Sequence, residues 1–138
     1  MTVHSGSCLC KAVSYEVTGP LRNAIGCHCT QCRKTTGHYL AATAVALDRL
    51  RLTREDGLSW YRSSDTASRG FCRICGSTLF WQADGRDYMA IAAGSLDLPT
   101  GIRLEGHIFC ADKGDYYEIT DGDYQRPHWL AGQQGAEK

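Results

Sequence analysis

The chain has 138 residues, with 15 Lys plus Arg against 15 Asp plus Glu, 43% hydrophobic and 22% charged content. This size and balance suit one globular domain with a modest core, and the zero formal net charge excludes the basic footprint of a phosphate-backbone binder. No apolar run nears the roughly 18 residues of a membrane-spanning helix, and the opening MTVHSGSCLCKAV lacks the apolar stretch of an export signal.

In chain order, residues 11–19 (KAVSYEVTG) place Val13, Tyr15 and Val17 on one face, which predicts a half-buried strand ended by Gly19-Pro20. A cysteine cluster and a polar, basic tail follow over 27–36, read as a turn running into a short helix. YLAATAVAL at 39–47 alternates bulky and small residues and reads as a buried strand, although its alanines also suit a helix. Short strands are expected at 50–53, 58–62 and 66–72, separated by Asp56-Gly57 and Ser63-Ser64-Asp65. Further strands are expected at 77–82, at 87–96 after an Asp84-Gly85 turn, at 105–111 and at 115–119 (DYYEI). Many short strands with hairpin signals predict a mainly β fold in a single domain over 1–130. The small, polar residues 131–138 are expected to fray.

Eight cysteines are many for this length. An even number would suit a disulfide framework in a secreted chain, but the cysteines are clustered at short range and no export signal is present, so metal and a reducing cytoplasm are expected. Cys72-Arg73-Ile74-Cys75-Gly76 is a metal knuckle: a tight turn aims both sulfurs at one ion, and Gly76 can take a left-handed conformation without a side-chain clash. Cys8 and Cys10 can complete a four-sulfur structural zinc site, unless the pairs combine otherwise, for instance with the triplet. Rubredoxin-like iron fits the same four sulfurs.

Cys27, Cys29 and Cys32 then remain as three ligands with a fourth position to fill, the pattern of a catalytic zinc. Three thiolates make the ion a weak generator of hydroxide and a good holder of an incoming thiol. Cys110, His28 or His38 would instead close the site and make it structural. His28, between two ligands on a tight turn, is expected to point away. Arg33 and Lys34 are candidates for binding a substrate carboxylate or are simply solvated, and Arg69 is placed to face the site. His107 is a candidate for proton transfer or a structural histidine, and Asp97 for fixing a loop or orienting an imidazole. Phe71, Phe80, Trp81, Tyr39 and Tyr88 are expected in the core or as pocket wall. The aromatics form no basic-aromatic stripe for stacking nucleic acid, and dinucleotide, phosphate-loop, HExxH and serine-elbow signatures are absent.

Three blocks in this order, GSCLCKAVSYEV at 6–17, CHCTQCRKTTG at 27–37 and FCRICGSTLFW at 71–81, resemble the glutathione-dependent formaldehyde-activating enzymes and their centromere-protein-V-like relatives. The resemblance runs from about residue 4 to residue 129. It implies an Mss4-like fold of twisted antiparallel sheets with zinc knuckles. By resemblance, Cys8, Cys10, Cys72 and Cys75 match structural zinc ligands, and Cys27, Cys29 and Cys32 match catalytic ones, giving two zinc ions per chain. The implied activity is that of a carbon–sulfur lyase forming or cleaving a thiol–aldehyde adduct of the S-(hydroxymethyl)glutathione type. A small-molecule thiol such as glutathione is the implied partner, with neither nucleic acid nor membrane. A non-catalytic zinc-binding structural or interaction domain is the alternative. The chain departs from the family at Lys11, where glycine is usual, and offers no evident residue set for both glutathione carboxylates.

Overall fold

The computed structural model describes residues 2–129; the tail expected at 131–138 lies outside them. In chain order the strands are β1 (Val3–Ser7), β2 (Ser14–Thr18), β3 (Ala24–Cys27), β4 (Leu40–Ala46), β5 (Leu50–Arg54), β6 (Leu58–Arg62), β7 (Ala67–Cys72), β8 (Thr78–Ala83), β9 (Tyr88–Ala92), β10 (Leu104–Ile108) and β11 (Tyr124–Gln125). One short helix, α1 (Thr30–Thr36), follows β3. The described part is thus mainly β, as expected. β6 falls where it was expected between its two turns, and β4, β5, β7 and β8 lie within a residue of expectation. The 87–96 and 105–111 segments leave the sheet early, at Ala92 and Ile108, and continue as 3₁₀ turns.

The strands form a three-stranded sheet, β1-β2-β5, and an eight-stranded sheet in the order β11-β10-β3-β4-β9-β8-β7-β6. Pairing is mostly antiparallel. The exception is β10, which runs parallel to both β3 and β11, so the large sheet is mixed rather than purely antiparallel.

The core lies between the two sheets. Val13, Tyr15 and Val17 from the small-sheet side meet Val45, Leu79, Phe80, Met89 and Ile91 of the large sheet. Strand alternation sends Thr43 and Val45 inward from β4 and leaves Leu40, Ala42 and Ala44 on the opposite face. Fully burying a Val or Ile side chain contributes roughly 1.5–3 kcal/mol, so this layer dominates the apolar stabilisation. The outer face carries a second cluster, in which Leu40, Ala42 and Ile108 pack around Cys27, Cys29 and Cys32.

The expected strand at 115–119 is absent. Within it the Tyr117 carbonyl is taken by Lys113 Nζ, which also donates to the preceding Gly114 carbonyl. The rings of Tyr116 and Tyr117 stack on each other, and both meet His38 at a tilt. The opening segment also differs. Residues 11–13 lie in the cysteine turn, and β1 and β3 had no clear alternation to announce them.

Candidate metal centres

The sulfurs gather into two groups, Cys8–Cys10–Cys72–Cys75 and Cys27–Cys29–Cys32, each with its ligand atoms within 4.8 Å of one another. All eight cysteines are free thiols, which sets the disulfide framework aside.

The four-sulfur group joins the turn after β1 to the turn between β7 and β8. Cys8 Sγ lies 3.7 Å from Cys10 Sγ, and Cys10 Sγ lies 3.8 Å from Cys72 Sγ. Zinc–sulfur bonds of about 2.3 Å in a tetrahedron put sulfurs about 3.8 Å apart, so these residues fit a four-thiolate ion. Backbone N–H groups aim at the sulfurs: Val13 N–H to Cys8 at 3.3 Å and Cys75 N–H to Cys72 at 3.5 Å. The Cys75 N–H bond is the largest influence holding the Cys72 thiol below its ordinary range. The Ser77 hydroxyl leads in bringing Cys75 down to about 5. Both effects favour the thiolates a metal needs. Gly76 takes φ 82° in the knuckle, as expected, and Lys11 takes φ 68° in the partner turn. Gly57 packs so close that a Cβ there would meet Cys72 Sγ at 2.7 Å.

The triplet forms where β3 ends and α1 begins. Cys29 caps the helix, its sulfur accepting the Cys32 N–H at 3.4 Å. All three cysteines are buried. Arg69, on β7 and 4% exposed, reaches across from the same sheet face. Its Nη2 donates to Cys32 Sγ at 3.5 Å and to Gln31 Oε1 at 3.2 Å. Its Nε and Nη1 are buried without a partner among the described residues. A buried guanidinium with unused donors suits a neighbour that is strongly negative, as three thiolates on a divalent ion are. The residues therefore fit a metal here as well. Neither Cys110 nor any histidine falls inside the three-sulfur group.

His28 points away from the sulfurs, into a buried polar chain. Tyr117 Oη lies 3.2 Å from His28 Nδ1, His28 Nε2 lies 2.9 Å from His107 Nδ1, and His107 Nε2 lies 2.7 Å from Asp121 Oδ2. An ionised carboxylate only accepts, so His107 donates from Nε2 and accepts at Nδ1. His28 then donates from Nε2 and accepts the Tyr117 hydroxyl proton at Nδ1, which needs no charge on either ring. Burial first, and then the nearby His107, lower His28 to about 4, consistent with a neutral ring. Burial raises Tyr117 to about 12, so it keeps its proton. His38 is engaged elsewhere, with Nδ1 2.9 Å from Tyr116 Oη.

Arg33 Nε donates to the Asp112 carbonyl at 3.2 Å, and Lys34 is exposed. Asp97 binds Ser5 through its backbone N–H; Asp121, not Asp97, is the carboxylate on an imidazole. Sequence reasoning missed Asp121 and Tyr117, whose only signal was the aromatic, acidic run after residue 115. Trp81 and Tyr88 do form pocket wall, lining together with Cys27 a shallow pocket of about 70 Å³.

The chain matches, over residues 3–112, a known family model described as the glutathione-dependent formaldehyde-activating enzyme. The chain belongs to this family. It is 26% identical over 122 residues to an uncharacterized lyase of Schizosaccharomyces pombe, covering 88% of each chain. The crystal structure of a Rhodobacter sphaeroides protein is similar at 26% identity, with a TM-score of 0.60 over 75% of this chain and 98% of that one. Family membership supports an enzymatic role and agrees with the mostly β fold. Among the described residues no helix is long and apolar enough to cross a membrane.

Proposed function

We propose that the protein is a zinc-dependent carbon–sulfur lyase that forms or cleaves a thiol–aldehyde adduct, with the four-sulfur group structural and the triplet substrate-facing. The observation that carries this reading is the incomplete donor set at Cys27, Cys29 and Cys32 beside a pocket that Cys27 also lines. Zinc held there supplies a binding point that keeps an incoming thiol as its thiolate.

In the forward direction the substrate sulfur bonds to the aldehyde carbon, the carbonyl π pair moves to oxygen, and the proton lost by the thiol ends on that oxygen. The reverse breaks the same carbon–sulfur bond. Arg69 holds Cys32 and offsets the negative charge of the sulfur group. His107, fixed between Asp121 and His28, handles the proton through the Tyr117 end of the chain. Arg33 and Lys34, on the helix that Cys29 caps, meet a substrate carboxylate. Glutathione is the first thiol to test, and a reducing cytoplasm suits eight free cysteines. Holding thiol and carbonyl together contributes most of the acceleration.

The experiment is NMR exchange spectroscopy on formaldehyde with glutathione or 2-mercaptoethanol, with and without zinc-loaded protein. Faster exchange that disappears in Cys32→Ser, in a chain that remains folded, is expected. No acceleration for any thiol–aldehyde pair would reject the activity.

A further inference from the structure

The two sulfur groups differ in how far solvent reaches them. Cys27, Cys29 and Cys32 are all buried, and Arg69, itself 4% exposed, lies against Cys32. In the four-sulfur group Cys8 and Cys72 are buried and Cys75 is half-buried, but Cys10 is exposed. Its neighbours Leu9 and Lys11 are exposed as well, so the tip of this turn faces solvent. Charge separates the groups in the same direction. Four thiolates on a divalent ion carry net charge −2, whereas three together with the Arg69 guanidinium come to zero, and sulfur in the more negative group gives up electrons more readily. Cys10 Sγ also has a partner close by: Cys72 Sγ lies 3.8 Å away, from a turn 62 residues further along the chain.

From this we infer that the four-sulfur group is an oxidation site for peroxides, with Cys10 the sulfur attacked first, Cys72 the sulfur that resolves it, and the triplet spared. Cysteine oxidation follows thiolate character and access, and Cys10 is the one cysteine of the eight that is exposed. The Cys10 thiolate passes an electron pair to a peroxide oxygen, the O–O bond breaks and hydroxide leaves, which gives a sulfenic acid. The Cys72 thiolate then attacks that sulfur and expels a second hydroxide. Two protons from solvent turn both hydroxides to water, so two thiolates lose two electrons to one peroxide. The disulfide removes two of the four ligands and releases the ion, yet it joins the same two turns that the ion joined. The fold is therefore kept, and a small thiol reverses the step by thiol–disulfide exchange. This goes beyond the lyase reading and rests on it only for the two ions.

The test is titration of the zinc-loaded protein with hydrogen peroxide, against a peroxide-free control. Released zinc is read with a chromogenic chelator, and cysteine states by differential alkylation and peptide mass mapping. Zinc is counted before peroxide is added. The expected result is loss of one ion of the two, a Cys10–Cys72 disulfide, Cys27, Cys29 and Cys32 still alkylated as thiols, and an unchanged circular dichroism spectrum. 2-Mercaptoethanol with added zinc is expected to restore the second ion. Because Cys10→Ser removes a ligand and endangers the fold, the order of oxidation is read on the unaltered chain. Oxidation of the triplet before Cys10, a disulfide that excludes Cys10, or loss of both ions together would overturn the inference. So would two ions retained in peroxide that fully oxidises free glutathione. Fewer than two ions before peroxide overturns the metal partition and this inference with it, whereas two ions lost in the wrong order overturns the inference alone.

Discussion

Arg69 Nη2 donates to Cys32 Sγ across 3.5 Å, from a strand 37 residues further along the chain. A divalent ion with three thiolates carries net charge −1. The buried guanidinium brings the group to zero, so a fourth thiolate raises the total to −1 rather than −2. Low-dielectric surroundings magnify that difference. Arg69→Met, which keeps the length and removes the charge, is expected to weaken zinc at the triplet by about 10–100-fold. Arg69→Lys is expected to recover part of the loss. Chelator competition read by zinc stoichiometry checks this: one ion should be lost early and the other retained.

The two metal groups predict different phenotypes. A structural zinc binds with roughly 10–16 kcal/mol, as much as the whole stability of a typical domain at about 5–15 kcal/mol. Cys72→Ser, in the group joining the turn after β1 to the turn between β7 and β8, is therefore expected to give an unfolded or aggregating chain. Cys32→Ser is expected to leave a cooperative melt with one zinc in place of two. Circular dichroism with elemental analysis of both variants decides it, and equal destabilisation would contradict the partition.

Lys11 occupies a left-handed position at φ 68°. A side chain there costs roughly 1–2 kcal/mol against a right-handed conformation, while glycine loses about 0.5–1 kcal/mol more chain entropy on folding. Lys11→Gly is expected to be neutral to about 1 kcal/mol more stable, a rise in Tm of a few degrees at most. A fall in Tm would show that the lysine side chain contributes something its exposed position does not suggest.

The hydrogen bond to His107 is the first cause holding the Asp121 carboxyl below its ordinary value. A lowered carboxyl contributes stability that is complete above the unfolded value, near 4, and is lost as the pH falls through the folded value. Asp121→Asn is therefore expected to lower Tm at neutral pH, with the gap to the parent protein narrowing as the pH falls below about 4. Melting curves from pH 7 down to 3 check the sign; a gap that widened in acid would contradict the arrangement.

The cysteine spacings made both sulfur groups legible in the sequence, because a knuckle is a local structure and two residues between ligands constrain one turn. The alternation of bulky and small residues at 39–47 likewise revealed a strand, and the flanking turn residues delimited the one at 58–62. Where partners are remote, the signal was weaker. Nothing near Asp121 announces that it reaches His107 on β10, and DYYEI has strand composition while Lys113 takes the Tyr117 carbonyl and the rings of His28 and His38 engage its tyrosines. The alanines of β4 leave its sequence open to a helix as well as to a buried strand. Only the pairing of Ala44 with Ala90, beside Trp81, shows that small residues there leave a pocket.

The central claim is that the triplet receives its fourth sulfur from outside the chain. The most direct measurement is a crystal structure of the zinc-loaded protein soaked with a small thiol. The account predicts the thiol's sulfur completing the coordination of an ion on Cys27, Cys29 and Cys32. Cys110 or a histidine of the chain in that position, with the thiol nowhere bound, would contradict it.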